Sequence, residues 1–598
     1  MWNLLKRLYK LLKRREKILA IIVMALFFVT SLTEVFGLGF IFLYVKLILE
    51  PAGLHTMGIL LKFQSLLGLT DDRHFLVALG VMLLAVLALK TFFGILSVWA
   101  SMRFSLGRMA AFSIDLYRIY LFKDYLYFLD KNSATLKQNI LEEIYSAIFN
   151  VMVPVLQLIS EMMALMFIVL LLLVLHPIET VIMFASTGVM FGIYLMMVRD
   201  KLERLGEQKS QSNHDRHRLA ADAFATIKET IVWDARWNFV QRFSAAMQRY
   251  SYAMAWHHVI LQVPRYLIEA IGFFLIVGLI IHHLLTSHNA AEVVSVIALY
   301  GAAGMRMMPS FNRITVCLAQ IRFHKRSLMS FYNDLILRRS MPNIPKNAQN
   351  VEPMLPFEKS ITFNDVSFSY TDGTDAVIRK VTLVIHKRSS IAFVGSSGAG
   401  KSTLVDMLLG LIEPTGGEIC VDGEPLQAEN IIAWRKQIGY IPQRVFLLDD
   451  TVAANIAFGE DPQNIDMEQV KWACKVARID QFIEQDLTSG YQTMVGEHGV
   501  RLSGGQAQRI AIARALYRRP SVLIMDEATA ALDGITEREI TETLEELAGK
   551  LTIVMIAHRL NTVKHCDMIY MLQKGEVVDW GTYNALLERN EIFRQMAS

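Results

Sequence analysis

Gly395-Ser396-Ser397-Gly398-Ala399-Gly400-Lys401-Ser402 has the spacing G-x-x-x-x-G-K-S of a loop that wraps phosphates. Its glycines let backbone N–H groups turn inward, Lys401 reaches toward the outer phosphates, and the Ser402 hydroxyl is placed to hold a divalent cation. Thr403 continues the phosphate-facing turn. Ser390-Ile391-Ala392-Phe393-Val394 ahead of the loop reads as a buried strand, and Thr403-Leu404-Val405-Asp406-Met407-Leu408-Leu409 behind it as a helix. That strand–loop–helix context predicts a parallel α/β nucleotide-binding domain.

Outward from this loop the composition changes. The chain has 598 residues, 53% of them hydrophobic, and a mean hydropathy of +0.35. Soluble proteins hold about 45–50% apolar residues even when Gly is counted. The formal net charge is only +4, so nothing in it points to nucleic acid. Cys317, Cys420, Cys474 and Cys566 form no C-x-x-C pair and read as small buried hydrophobes, with neither a disulfide framework nor a metal site. The apolar residues concentrate before about residue 330. The organisation expected is a transmembrane domain over 1–335, a linker over 336–355 containing Met341-Pro342-Asn343-Ile344-Pro345, and a nucleotide-binding domain over 356–598.

A membrane-spanning helix needs about 20 mostly apolar residues. Six stretches qualify: 18–48, 75–100, 152–175, 179–198, 258–285 and 292–320. The fold class expected is thus a membrane α-helical domain of six transmembrane helices with long cytoplasmic extensions, fused to an α/β P-loop ATPase domain. The segments 101–150 and 199–257 are rich in Arg and Lys, whereas His176-Pro177-Ile178 and 282–292 contain neither. By the positive-inside rule both basic segments and both termini face the cytoplasm. The run behind the basic N-terminus is too long for a signal-peptide core, so no cleavable signal is expected. Residues 2–17 alternate apolar and basic positions at helical spacing, as in an amphipathic helix on an anionic inner leaflet. Each cytoplasmic segment has an aromatic break, Tyr125–Ser133 and Ile231–Trp237, suited to a short crosswise helix. Such tips would either dock on the nucleotide-binding domain or cap their own bundle.

Further motifs follow the phosphate loop in order. Leu502-Ser503-Gly504-Gly505-Gln506 is an LSGGQ sequence. Val522-Leu523-Ile524-Met525-Asp526-Glu527 is an apolar strand ending in two carboxylates. Gln443 lies in Ile441-Pro442-Gln443, Tyr370 follows Val366-Ser367-Phe368-Ser369, Asp533 follows Leu532, and His558 stands in Ile556-Ala557-His558-Arg559. In this order they resemble the motifs of half-size ABC exporters along the whole chain. The resemblance implies ATP and Mg²⁺, with Ser402, Gln443 and Asp526 around the ion and Tyr370 stacked on adenine. Glu527 would be the general base and His558 a γ-phosphate contact. It also implies that Ser503, Gly504, Gly505 and Gln506 close over ATP held by a second copy, with Asp533 in the D-loop. A homodimer with two equivalent sites follows. Thr493–Gly499 resembles the exporter x-loop, with His498 either touching a helix tip or simply solvated.

The carried molecule has to be read from the membrane half. Lys90, Arg265, Arg306 and Arg313 lie within spans, where charge is costly and marks function by default. If they share a cavity, it would attract phosphate or pyrophosphate. Arg265 and Glu269, at i and i+4, could instead pair locally. Leu54–Leu69 reads as an amphipathic helix on the outer surface, there to guide a lipid chain or to pack a loop. With Thr33–Gly39 and the cations, this resembles the branch that flips lipid-linked oligosaccharides, implying an anionic polyprenyl-pyrophosphate glycan and a bacterial inner membrane. A lipid or multidrug exporter, and a non-pumping regulator or channel, are the rival readings.

Overall fold

The computed structural model describes the chain apart from residues 1, 50–61, 63–70, 176, 287–289, 338–354, 371–375, 497–498, 500, 528–533, 558–559 and 598. The external helix expected over Leu54–Leu69, His498 and most of the 336–355 linker therefore lie outside the described residues. The chain divides into two compact units, one of Met1–Lys123 with Tyr127–Ile344, the other of Asp124–Leu126 with Pro345–Ser598.

The first unit is helical. A short helix α1 (Trp2–Leu11) precedes α2 (Arg14–Leu49) and α3 (Asp72–Leu121). A chain of helical pieces from Ser133, with π-helical turns at Asn139–Glu143 and Ile148–Met152, leads into α4 (Val153–Leu175). Then come α5 (Pro177–Ala225), α6 (Arg236–Thr286), α7 (Ala290–Phe323) and α8 (Lys325–Leu337). The six apolar stretches of the sequence fall on α2 to α7. Among the described residues, Arg14–Val45, Arg73–Leu121 and Ser133–Val174 are long and apolar enough to cross a membrane by length and composition. Val77, Val81, Leu84, Phe92 and Ile95 of α3 are exposed, a row of bulky apolar side chains that suits lipid rather than water.

Tyr125–Asp130 and Ile227–Val232 form separate six-residue helices, and Asp234 turns the chain after the second with φ 48°. The first short helix falls on the expected break, whereas the second lies mostly ahead of the expected Ile231–Trp237. α2, α3, the Ile144–Met152 turns and α8 bury Phe27, Phe104, Leu116, Ile148 and Phe331 together, with Leu4 of α1 in the same cluster.

The second unit is α/β. Its six-stranded sheet has the order β10-β9-β3-β8-β7-β6, built from β3 (Ser390–Gly395), β6 (Ile438–Ile441), β7 (Val522–Asp526), β8 (Thr552–Ile556), β9 (Met568–Gln573) and β10 (Glu576–Gly581). All neighbours in it run parallel except β9 and β10. A second, antiparallel sheet holds β2-β1-β4-β5, from β1 (Ser360–Phe368), β2 (Ile378–His386), β4 (Gly416–Val421) and β5 (Glu424–Pro425). Every residue of β3 is buried, as expected of a parallel strand covered on both faces. One face packs Val394, Leu523 and Ile553, the other Phe393, Ile524 and Val554. Cys317, Cys420, Cys474 and Cys566 are all free and buried.

Ile524 at the centre of β7 is fully buried in this core. Ile524→Ala is expected to cost about 2–5 kcal/mol by lost transfer energy and cavity formation. Thermal unfolding of the purified full chain checks it, with a lowered midpoint for the C-terminal unit.

Candidate nucleotide site and the charges of the helical unit

Parallel pairing brings the site together. Phe393 of β3 and Asp526 of β7 both pair with Ile556 of the intervening β8, so the chains leaving β3 and β7 emerge at the same sheet edge. That carboxyl edge is where parallel α/β sheets bind ligands. The loop after β3 turns into α9 (Lys401–Leu408) through Gly400, whose φ of 99° is left-handed. A Cβ on Gly400 would also lie 2.5 Å from the Ile378 side chain, so only glycine fits. Ser396, Ser397, Gly398 and Ser402 are exposed, while Ala399, Lys401 and Thr403 are buried.

Lys401 folds over its own loop, Nζ donating to the carbonyls of Gly395 at 2.8 Å and Ser396 at 3.0 Å. Burial lowers its pKa, and the charges of Glu527 and Asp526 pull it back up. These carbonyls hold the ammonium where phosphate oxygens would otherwise meet it. Tyr370 is exposed beside α9, its hydroxyl 3.4 Å from Thr403 Oγ1 and its ring edge-on to Phe368.

Glu527 is the most informative residue of the site. Its φ is 46°, a left-handed conformation that costs a non-glycine residue about 1–3 kcal/mol. Its N–H donates to the Ile556 carbonyl at 3.1 Å, anchoring the turn to β8. The carboxylate accepts a hydrogen bond of 2.6 Å from Gln443 Nε2. Two residues 84 positions apart are thus joined where the neighbouring strands β6 and β7 end. Ser402, Asp526 and the Gln443 amide oxygen offer the hard oxygen donors that Mg²⁺ prefers. Among the described residues no group of three or more His, Cys, Asp or Glu side chains is placed to hold a metal ion.

Ser503 caps the helix α10 (Gly504–Tyr517). Its hydroxyl accepts from Gln506 N while the Gln506 side chain accepts from Ser503 N at 2.8 Å, a reciprocal capping box. Ser503 and Gly504 are exposed and Gly505 and Gln506 half-exposed, so the start of α10 is open to solvent. Asp533 and His558 lie outside the described residues.

Three features of this unit escape motif reading. Asp406 of α9 has its pKa raised from an ordinary 3.8 to about 6, first by burial and then by Asp526. Its position five residues after Lys401, on a helix otherwise apolar toward the sheet, is the signal that marks it. Arg514 of α10 donates to the Phe446 carbonyl at 2.9 Å and the Asn455 carbonyl at 2.7 Å, tying the segment after Gln443 to α10. Trp434, fully buried, donates from its indole to the Leu408 carbonyl at 2.8 Å and closes the end of α9.

In the helical unit, Arg265 is exposed and paired with Glu269 at 2.9 Å, the local i, i+4 arrangement. Arg313 donates to Glu161 at 2.8 Å, and Ser310 donates to the other oxygen of the same carboxylate at 2.6 Å. Glu161, 6% exposed, is a site residue that cation counting passes over, although an acidic residue inside 152–175 is itself a flag. Lys90 is half-buried on α3. The Arg306 side chain lies outside the described residues.

The fold and site define a P-loop nucleotide-binding unit fused to a unit of long, lipid-compatible helices. Residues 378–530 match the family described as ABC transporter, so the C-terminal unit contains an ABC ATPase domain, the kind of domain that binds ATP. The chain is similar in structure to a bacterial Atm1-family ABC exporter with ATP bound, with TM-score 0.76 and 22% identity over 98% of this chain and 97% of that one. Its fold is therefore that of an ABC exporter. Among curated proteins it is 42% identical over 236 residues to an ATP-dependent lipid A-core flippase of Saccharophagus degradans, covering 40% of each chain. It is 33% identical over 396 residues to ABC transporter B family member 17 of Arabidopsis thaliana, covering 65% of this chain and 31% of that one. The chain spans less than half the length of the curated flippases it matches, 40% to 48% of each.

Asp406 sets a pH dependence. Its folded pKa is raised, so its contribution to stability is fully present below about pH 4 and is lost as pH rises through about 6. Asp406→Asn should raise the melting temperature of the full chain at pH 8 relative to the parent. That gap should narrow as pH falls through 6, which thermal unfolding across pH 5–8 reads directly.

Proposed function

We propose that this chain is an ATP-driven lipid exporter of the ABC type, working as a homodimer in a bacterial inner membrane. In this reading α2 to α7 are six spans, and the ATPase unit and both termini are cytoplasmic, as the basic segments 101–150 and 199–257 require. The observation that supports it most is the Gln443–Glu527 hydrogen bond, which joins two of the motif residues and orients the Glu527 carboxylate.

The chemistry follows from the residues. Backbone N–H groups of Ser396 to Lys401 hold the phosphates, and Lys401 leaves its loop carbonyls to meet them. Tyr370 offers adenine a flat face. Ser402, Asp526 and Gln443 would hold Mg²⁺, which supplies charge neutralisation on the phosphates. Glu527 accepts the proton of the attacking water as a new O–P bond forms at the γ-phosphorus and the β–γ bridging bond breaks. His558 and Asp533 belong to this site by their motifs. Ser503 to Gln506 of a second copy complete the enclosure, the exposed start of α10 supplying N–H groups and its positive end. Closure and reopening of the two ATPase domains drive the membrane units between their two states.

For the cargo, the curated flippases favour a lipid, and we propose an amphiphilic anionic lipid-linked oligosaccharide. Lys90 and Arg306 are the cations put forward to meet its pyrophosphate, with Arg265 and Arg313 joining if they exchange Glu269 and Glu161 for it. Strongly hydrogen-bonded partners make that exchange costly, so Lys90 and Arg306 carry more of the reading.

In liposomes, Glu527→Gln should keep ATP binding and lose about 10²–10⁴-fold in turnover, the range of general-base catalysis. Turnover at the parent rate would remove Glu527 from this role. Parent liposomes given a polyprenyl-pyrophosphate oligosaccharide should move it between leaflets only with ATP, read by enzymatic accessibility of the glycan. Intact ATPase activity without movement of that lipid would discard the oligosaccharide cargo and leave the exporter reading standing.

A further inference from the structure

The helical unit holds a cavity that the chemistry above does not use. It measures about 480 Å³ and is lined by Arg7 of α1, Arg199 and Glu203 of α5, Arg322 of α7 and Lys325 of α8. It lies where the apolar stretches of α5 and α7 give way to charged sequence. Four cations face one carboxylate. Lys325 spends its charge on that carboxylate, with Nζ 2.8 Å from Glu203 Oε1. Arg322 reaches only the Leu195 carbonyl, at 3.3 Å. Arg7 touches the Met329 sulfur and lies over the Tyr332 ring at 5.2 Å, neither of them an anion. Arg199 makes no hydrogen bond or ion pair with the described residues.

Like charges gathered in a partly buried space repel one another. Burial lowers the Arg322 pKa and the charge of Arg199 lowers it further, with Glu203 offsetting only part of the effect. An oxyanion with several acceptor oxygens relieves that repulsion and matches guanidinium forks. The cavity also has an apolar side. Leu4 and Ile321 line it and are buried. One turn before Arg199, Met196 and Met197 are 78% and 77% exposed, a surface on which hydrocarbon would lie. Helix α1 presents Leu4 inward and Lys6 and Lys10 outward, as a helix at a bilayer surface does.

We propose that this cavity binds the phosphate of an anionic lipid whose acyl chains run along α5 past Met196 and Met197. Basic pockets between helices at a membrane boundary recognise lipid headgroups in this way. The site is separate from the nucleotide loop and from Lys90, Arg265, Arg306 and Arg313, and it does not depend on what the chain carries. It makes α1 a clamp that is held down when the lipid is present.

The test is calorimetric titration of the detergent-purified full chain with dioctanoyl phosphatidic acid, dioctanoyl phosphatidylcholine and inorganic phosphate. Phosphatidic acid should bind, and Arg199→Gln or Arg322→Gln should weaken it by about tenfold or more, the scale of one charge-assisted hydrogen bond. Glu203→Gln should tighten it, because Lys325 is released to the ligand. That opposite sign keeps the proposal falsifiable even if an arginine variant folds poorly. Unchanged binding in Arg199→Gln, or weaker binding in Glu203→Gln, would overturn the site. Inorganic phosphate binding as tightly as phosphatidic acid, or phosphatidylcholine doing so, would overturn the anionic-lipid assignment.

Discussion

The parallel ladder of β3, β8 and β7 is the constraint on which the nucleotide-binding unit depends. More than 120 residues separate β3 from β7, and β8 lies between them in the sheet. The ladder then cancels that separation, because Phe393, Ile556 and Asp526 share one row. The phosphate loop and the two carboxylates leave the sheet side by side. Glu527 continues the same geometry, since its N–H is held by the Ile556 carbonyl and its left-handed turn aims the carboxylate at Gln443. Burial of β3 on both faces makes the row rigid, and the strain at Glu527 is tolerated because the surrounding sheet over-determines it.

The helical unit obeys a different constraint, the cost of charge away from water. Two of the cations on these helices have a carboxylate beside them: Glu269 for Arg265, and Glu161 for Arg313. Glu161 also accepts from Ser310, so both of its oxygens are engaged. Of these residues Glu161 is the buried one, so removing Arg313 would leave a buried carboxylate with only Ser310 among these partners, a larger penalty than the pair's own net worth. The cations around Arg199 and Arg322 are not balanced in this way, and that imbalance separates a ligand-binding cluster from a structural one.

Much of this was legible along the chain. The phosphate loop, LSGGQ and the Asp526–Glu527 strand end are local patterns whose residues are adjacent or nearly so, and each appears on the element its neighbours imply. The apolar stretches were legible because a bilayer demands length and hydrophobicity, both local properties. The helix breaks near Tyr125 and Trp233 were visible for a related reason, since aromatic and turn-forming residues interrupt the helical pattern there. Asp406, Arg514 and Glu161 were harder to read. Each is a single polar residue whose role comes from partners dozens of positions away, and no spacing rule reports such partners.

The residue types and order by themselves determined that this chain has a phosphate-cradling loop, a signature that caps a helix, and long apolar stretches before them. These follow from short-range sterics and hydrophobic periodicity, which act over a few residues. Only the tertiary structure decided which polar groups meet: Gln443 with Glu527, Glu161 with Arg313, and Arg199 with Arg322 at one cavity. Electrostatic partnership depends on distance in space and on the water excluded around it, and neither quantity is written in the order of residues along the chain.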